Sequence, residues 1–425
     1  MMFNRRLLLG SAAGLAAPLY ARAQSQVVEI TAQYSIPELF RGLMEDVGQA
    51  FMRENPLIRL TWRAPEQGYE EILQRNLRDS ITRTLPDVAF HGLNRQRTLA
   101  ERNIPVDLKP LMAADPETQA QGYSETLLSL GQVGAAQTGI GFALSTPILY
   151  YNVELMRRAG GNPERPPTTW AEVNQLARAI HGSSENVTGM FFDWSITGNW
   201  SWQGLVFSHG GTMLNGEETQ VAFGGEHGRR AMRTLRSFVD DGRMPDIRSA
   251  TMFTDMFAGR LGISMQSTAQ LGRYNREIGG RFPLLTGRYP LPGPNARIPA
   301  GGNVAMIFTR DAQKQAAAWR FIKFATGPVG ATMMVNATGY MPASTIPAER
   351  EDMLARFYRE NPNHLTTFRQ ADSITGWYAF PGQNALRITD IINDHLQSVV
   401  ARRGEPDAVL ERMTADVQNL LPRRS

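Results

Sequence analysis

The chain has 425 residues, 42% of them hydrophobic and 20% charged, and a net charge of only +4. That length exceeds what one hydrophobic core usually serves, so two domains are expected, and the balance excludes a disordered or membrane-embedded chain. Cysteine is absent, which excludes disulfides, thiolate metal sites, a cysteine nucleophile and a lipid-bearing N-terminal cysteine.

The basic side is almost all arginine, because Lys109, Lys314 and Lys323 are the only lysines, and the arginines are scattered. A nucleic-acid partner is therefore not expected. Residues 1–23 read as an export address. Asn4-Arg5-Arg6 is a basic leader, Leu7 to Leu19 is an apolar run too short to span a bilayer, and Ala21-Arg22-Ala23 fits a cleavage site. Arg5-Arg6 followed by three leucines resembles a twin-arginine signal. The expected mature chain begins near Gln24 and is a soluble periplasmic monomer.

Val27 to Ala32 reads as a buried first strand, and Phe40, Leu43, Val47 and Phe51 repeat at helical spacing up to Asn55-Pro56. Ile58 to Trp62 alternates like a strand. Tyr69, Leu73, Leu77 and Ile81 predict a second amphipathic helix, and Asp87 to Phe90 a third strand. This β-α-β-α-β order argues for a parallel sheet covered by helices, with ligands beyond the carboxyl ends of its strands. Those ends are Gln33-Tyr34-Ser35, the Gln67-Gly68-Tyr69 region and His91 to Asn94.

The apolar run from Gly141 meets a small polar patch at Ser145-Thr146-Pro147, passes Tyr150-Tyr151, and enters a helix at Asn152, a good N-cap. Gly160-Gly161 stops that helix. Thr169-x-x-Glu172 is a capping box for the next, whose core stripe is Trp170, Val173, Leu176, Ala177 and Ile180. Phe191 to Trp202 is the richest aromatic segment. Ala231, Leu235, Phe238 and Val239 mark a further helix, and Gly259 to Thr268 a strand ending at Ser267 and Thr268. A proline-rich link at Tyr289 to Pro294 leads to the segment Ala300 to Phe308. Ala318, Phe321, Ile322 and Ala325 lie on one helix face. Ile388 to Val399 and Leu410 to Leu420 are the last two helices.

Several of these segments carry a resemblance. The strand with Ser145-Thr146-Pro147, Tyr150-Tyr151-Asn152, Ala159-Gly160 and Pro166-Pro-Thr-Thr-Trp170, together with Thr338-Gly-Tyr-Met-Pro342, resembles the family 1 extracellular solute-binding proteins of ABC importers, most of all their glycerol-3-phosphate-binding branch. The resemblance runs from about Val27 to the C-terminus. It implies an α/β, two-lobed periplasmic-binding-protein fold of type II, each lobe a mostly parallel sheet flanked by helices, with hinge crossovers between. Residues 24–141 plus 303–345 would form one lobe and 142–302 plus 346–425 the other, with crossings near Gly141, near Gly302 and after Tyr340. It further implies an inner-membrane ABC permease as partner.

Enzymatic signatures are missing. The six histidines show no metal spacing, and no H-E-x-x-H, nucleophile elbow, dinucleotide loop or P-loop is found. No catalytic residue, metal or cofactor is expected. A small polyhydroxy ligand needs flat aromatic faces for its C–H surface and short polar groups for its hydroxyls. Tyr34, Tyr69, Asn94, Ser145, Thr146, Trp200, Trp202, Ser267, Thr268, Gly301, Gly302, Asn303, Tyr340, Trp377 and Tyr378 supply that mixture. By resemblance, Tyr69, Ser145, Ser267, Gly301 or Gly302, and Tyr340 fall where the glycerol-3-phosphate binder holds its ligand. Two positions depart from that branch. Leu93-Asn94 stands where it has a glutamate, and Pro381 stands where it has a phosphate-pairing arginine, which removes the strongest phosphate partner. The expected ligand is a neutral sugar, a polyol or a glycerol-linked glycoside. The alternatives are glycerol-3-phosphate, a glycerophosphodiester or another anionic sugar derivative, with Arg387 or a helix N-terminus supplying the positive field, and, in another class, an exported glycoside or phosphodiester hydrolase.

Overall fold

The computed structural model describes residues 27–293 and 295–422; the export address lies outside them. Strands Val28–Gln33 (β1), Ile58–Trp62 (β2) and Val88–Gly92 (β3) alternate with helices Pro37–Glu54 (α1) and Tyr69–Thr82 (α2). A short helix, Gln96–Ala100 (α3), follows. The chain then enters Ile140–Ser145 (β4), and Thr146 alone separates it from Pro147–Asn152 (β5). Next come Trp170–His181 (α4), Thr188–Phe192 (β6), Trp200–Ser208 (α5), Glu226–Asp240 (α6), Leu261–Ser267 (β7) and Leu284–Arg288 (β8). Gly301–Ile307 (β9), Ala312–Thr326 (α7), Ala385–Val400 (α8) and Pro406–Leu420 (α9) complete the framework.

The caps read from sequence are made. The Asn152 side chain accepts from the amides of Glu154 and Leu155, and both bonds of the Thr169–Glu172 box are present. The α2 stripe turned out differently. Its buried face is Tyr69, Ile72, Leu73, Asn76 and Asp79, and Ile81 is exposed. A strict spacing of four advances about 40° per step around a helix, so the third step has left the core face.

Two sheets organise these elements. The first runs β2-β1-β3-β9-β4, with β1 parallel to β2 and β3, and β9 antiparallel to both its neighbours. The second runs β8-β5-β7-β6, with β6 parallel to β7, and β5 antiparallel to β7 and β8. Two of its three ladders are thus antiparallel, a more mixed sheet than the expected one. The cause is connectivity. The reversed strand of each sheet, β9 or β5, is the one fed from the other half of the molecule. The first sheet's core centres on Phe90, Phe142 and Phe321, with the Phe90 and Phe142 rings 4.9 Å apart edge to face. The second packs Trp170, Phe192 and Phe238 at 4.8 to 5.8 Å. Helices α8 and α9 pack on α6 and so belong with the second sheet.

The chain leaves the first sheet at Ser145, later than Gly141, and β9 joins it from Gly301. The polar connection at Thr146 is dry and fully bonded. Its amide donates to Thr268 Oγ1 at 3.1 Å, its carbonyl accepts from the Thr268 amide at 3.0 Å, and its hydroxyl accepts from Gln370 Nε2 at 2.7 Å.

Candidate functional site

The segment that follows β1, the start of α2, and Ser145 face the end of β7 and the Ile196–Trp200 segment across a cleft of about 420 Å³. Both halves line it. The floor is the Gly301-Gly302 pair beside Ser145. A Cβ on Gly301 would lie 2.6 Å from Ser145 Oγ and 3.1 Å from the Trp200 ring, so glycine lets that indole lie against the strand. Gly302 has φ +99°, and a Cβ there would meet the Ala143 carbonyl at 1.8 Å. Just beyond, β9 carries a register shift between Asn303 and Val304, a bulge of the kind that re-aims side chains next to sites.

Aromatic rings form the walls. Trp200 donates from Nε1 to the Ala300 carbonyl at 3.0 Å. Trp377 stands edge-on to Tyr69, centroids 6.3 Å apart, and 6.2 Å from Trp200. Tyr340 stacks on Phe40 at 5.5 Å. The Tyr69 hydroxyl accepts from Asn303 Nδ2 at 3.4 Å. Burial pushes Tyr69 up to about 12 and Tyr340 upward as well, so both hydroxyls stay protonated at neutral pH.

The charge of the lining is one-signed. Glu38, Glu70 and Glu71 line the cleft, and among the described residues no arginine or lysine does. Glu70 and Glu71 sit in the first turn of α2, so the positive end of that helix already faces carboxylates. Arg95 lies behind Glu70 and hydrogen-bonds its Oε1, and Thr197 from the opposite wall donates to the same oxygen at 2.6 Å. Burial raises the Glu70 pKa, but the nearby Arg95 charge and these bonds outweigh it, leaving Glu70 below the ordinary glutamate value.

Eight of the expected residues meet here: Tyr69, Ser145, Trp200, Ser267, Gly301, Gly302, Tyr340 and Trp377. Eight do not line the cleft. Tyr34 is in the core, edge-on to Trp62 at 5.4 Å, and Trp202 is in the other core against Phe223 at 5.9 Å. Thr146 and Thr268 bond to each other in the connection between the sheets. Asn303 stands behind Tyr69, and Asn94 is buried beside Gly198 with neither amide atom partnered among the described residues. Arg387 is exposed on α8, away from the cleft. Arg387 is absent from the lining, and the α2 terminus is already met by acids. Tyr378 lies on a neighbouring groove and donates to Glu218 at 2.9 Å. Tyr150 and Tyr151 are both buried, Tyr150 stacked on Tyr274 at 4.1 Å. Sequence reasoning missed Glu70, Thr197 and Gln270; the acidic pair that follows Tyr69 was the available signal for the first.

Two α/β sheets exchanging strands through narrow connections, with a cleft at the strand ends lined from both sides, define a two-lobed binding protein. The chain belongs to the bacterial extracellular solute-binding protein family, whose model matches residues 47–356. It is similar to the sn-glycerol-3-phosphate-binding periplasmic protein UgpB of Agrobacterium fabrum, 24% identical over 281 residues, which is 63% of each chain. Among solved structures it resembles UgpB from Mycobacterium tuberculosis in complex with glycerophosphocholine, with a TM-score of 0.80 at 18% identity over 92% of this chain and 98% of that one. It also resembles the cyclic alpha-maltosyl-1,6-maltose binding protein from Arthrobacter globiformis, with a TM-score of 0.75 at 19% identity over 92% of this chain and 99% of that one. No helix among the described residues is long and apolar enough to cross a membrane.

Proposed function

We propose that this protein is the periplasmic receptor of an ABC importer, exported by its N-terminal signal, and that it captures a neutral sugar, polyol or glycerol-linked glycoside. The two sheets are the cores of lobes that move about Thr146, Ala300 and the segment after Tyr340. A ligand touching both lobes favours the closed arrangement by its extra contacts there. The closed monomer then docks on a membrane permease, which supplies the ATP chemistry.

One observation carries the ligand class. The cleft combines indole and phenol faces, short hydroxyls and strand backbone with three carboxylates and, among the described residues, no basic side chain. A phosphate placed there meets like charge, whereas sugar hydroxyls donate to carboxylates and sugar C–H faces cover the rings. The volume of about 420 Å³ falls in the range of small-molecule sites. A larger groove of about 730 Å³ runs between α1 and α7, but the first lobe lines it alone, so lobe closure does not reshape it.

Calorimetry of the mature protein against monosaccharides, disaccharides, polyols and glycerol glycosides tests the reading, with X-ray scattering to detect compaction. Saturable one-to-one binding with compaction and no product supports it. Turnover at sub-stoichiometric protein, or tight glycerol-3-phosphate binding with no neutral ligand, overturns it.

A further inference from the structure

Arg95 is 4% exposed and sits just past β3, before α3. Its Nη2 hydrogen-bonds Glu70 Oε1, while its Nε has no partner among the described residues. Thr197, across the cleft, donates its hydroxyl to the same Glu70 oxygen. A buried guanidinium with a spare donor and a facing hydroxyl are the groups that elsewhere hold a ligand's phosphate or carboxylate. Here the anion resting on them is a side chain that itself lines the cleft.

We infer that Arg95 and Thr197 form an anion seat occupied by the protein's own Glu70, which makes Glu70 the residue that bars phosphorylated and carboxylated ligands. The inference rests on the cleft being the ligand site. Three consequences follow from the geometry. Glu70 supplies the counter-charge that a buried guanidinium requires, so the seat is charge-compensated while Glu70 stays. The seat draws one donor from each side of the cleft, so an anion replacing the carboxylate would touch both lobes, as a transported ligand must. Removing the carboxylate would expose Arg95 to the cleft and turn a neutral-ligand site into an anion site.

The test compares mature wild-type protein with Glu70→Ala and the double variant Glu70→Ala/Arg95→Gln. Each is titrated with sn-glycerol-3-phosphate and inorganic phosphate by calorimetry, and melted with and without phosphate. The wild type is expected to give no saturable heat. E70A is expected to bind at least one of the two anions about tenfold or more tightly than wild type, the margin of one charge-assisted hydrogen bond, with affinity falling as salt rises. Its melting temperature rises with phosphate, and the double variant loses both effects. Should E70A not fold alone because Arg95 is left unpaired, recovery of its fold by phosphate counts as binding. A folded E70A that binds neither anion, an unfolded one that phosphate does not recover, equal binding by the double variant, or a wild type that binds glycerol-3-phosphate tightly would each overturn the inference. Neutral-sugar titrations of the same proteins report on the proposed function separately, so a failure of either is recognisable by itself.

Discussion

The floor of the cleft and the rim of the groove beside it are built in opposite ways. The floor is backbone: Gly301-Gly302, Ser145 and the Thr146–Thr268 connection are buried, and the polar groups of that connection are paired. The rim is side chain. Arg97 grips Glu218 with two bonds of 2.5 Å, Tyr378 adds a third contact, and the pair stays partly solvated, with side chains 26% and 31% exposed. A dry, interlocked floor has one arrangement and sets where the sheets meet. A wet ion pair between long side chains can break and re-form at small cost, which suits a contact that must open for a ligand. Glu218 is held ready by its own hairpin, with φ +57° and its amide bonded to the Asn215 carbonyl.

The sharpest way to break this contrast is Gly302→Ala. The methyl would overlap the Ala143 carbonyl on a left-handed backbone, so a loss of about 3 kcal/mol or more is expected in chemical denaturation. A loss below about 1 kcal/mol would mean that the floor adapts, and the contrast with the rim would fail.

Trp377 stands between the two regions, lining the cleft and the groove beside it. Trp377→Ala should weaken ligand binding by about 2 kcal/mol or more, as aromatic anchors do, while the variant stays folded by circular dichroism. Titration with whichever neutral ligand the wild type binds checks this, and unchanged affinity would place recognition elsewhere.

The floor also makes a pH prediction. His91 on β3 pairs with Val304 of β9, is wholly buried, and is held by Asn76 Oδ1 at 2.9 Å. Burial pushes its pKa down from 6.5 to about 3. The folded protein therefore keeps the imidazole neutral, while the unfolded chain takes up a proton below about pH 6.5. Stability from this group is complete above pH 6.5 and is lost as pH falls toward 3, at up to about 1.4 kcal/mol per unit. Denaturation curves between pH 6.5 and 4.5 should be steeper in pH for wild type than for His91→Gln; equal slopes would remove His91 from the account.

The smallest effect is expected at the rim. Glu218→Ala should cost less than about 1 kcal/mol of global stability. It should raise the open fraction seen by scattering or by a distance label across the lobes, more at low salt than at high. An unfolding effect as large as that of Gly302→Ala would show that the rim is structural.

Much of the framework was legible because helix and strand periods, proline stops and caps are local. Asn152 and the Thr169–Glu172 box act where the sequence places them. Part of the candidate site was legible for a related reason: Ser145, Ser267, Gly301 and Gly302 sit at strand ends, where topology opens a cleft. Tyr69 opens the helix after β2, and Tyr340 was expected from the resemblance around Thr338 to Pro342. The aromatics show where local reading stops. Trp200 and Trp202 are two positions apart in one short helix, yet one lines the cleft and the other the core, and their side chains are chemically the same.

Sequence alone determined the α/β class, the two-part layout and the scarcity of positive charge among the expected ligand-binding residues, since each follows from composition or from patterns a few residues long. Only the tertiary structure decided that Glu70 rests on Arg95, 25 residues away, and on Thr197, 127 residues away. No local pattern encodes such a meeting. It exists because two sheets, each folding by its own hydrophobic core, bring loops of unrelated sequence to the same edge.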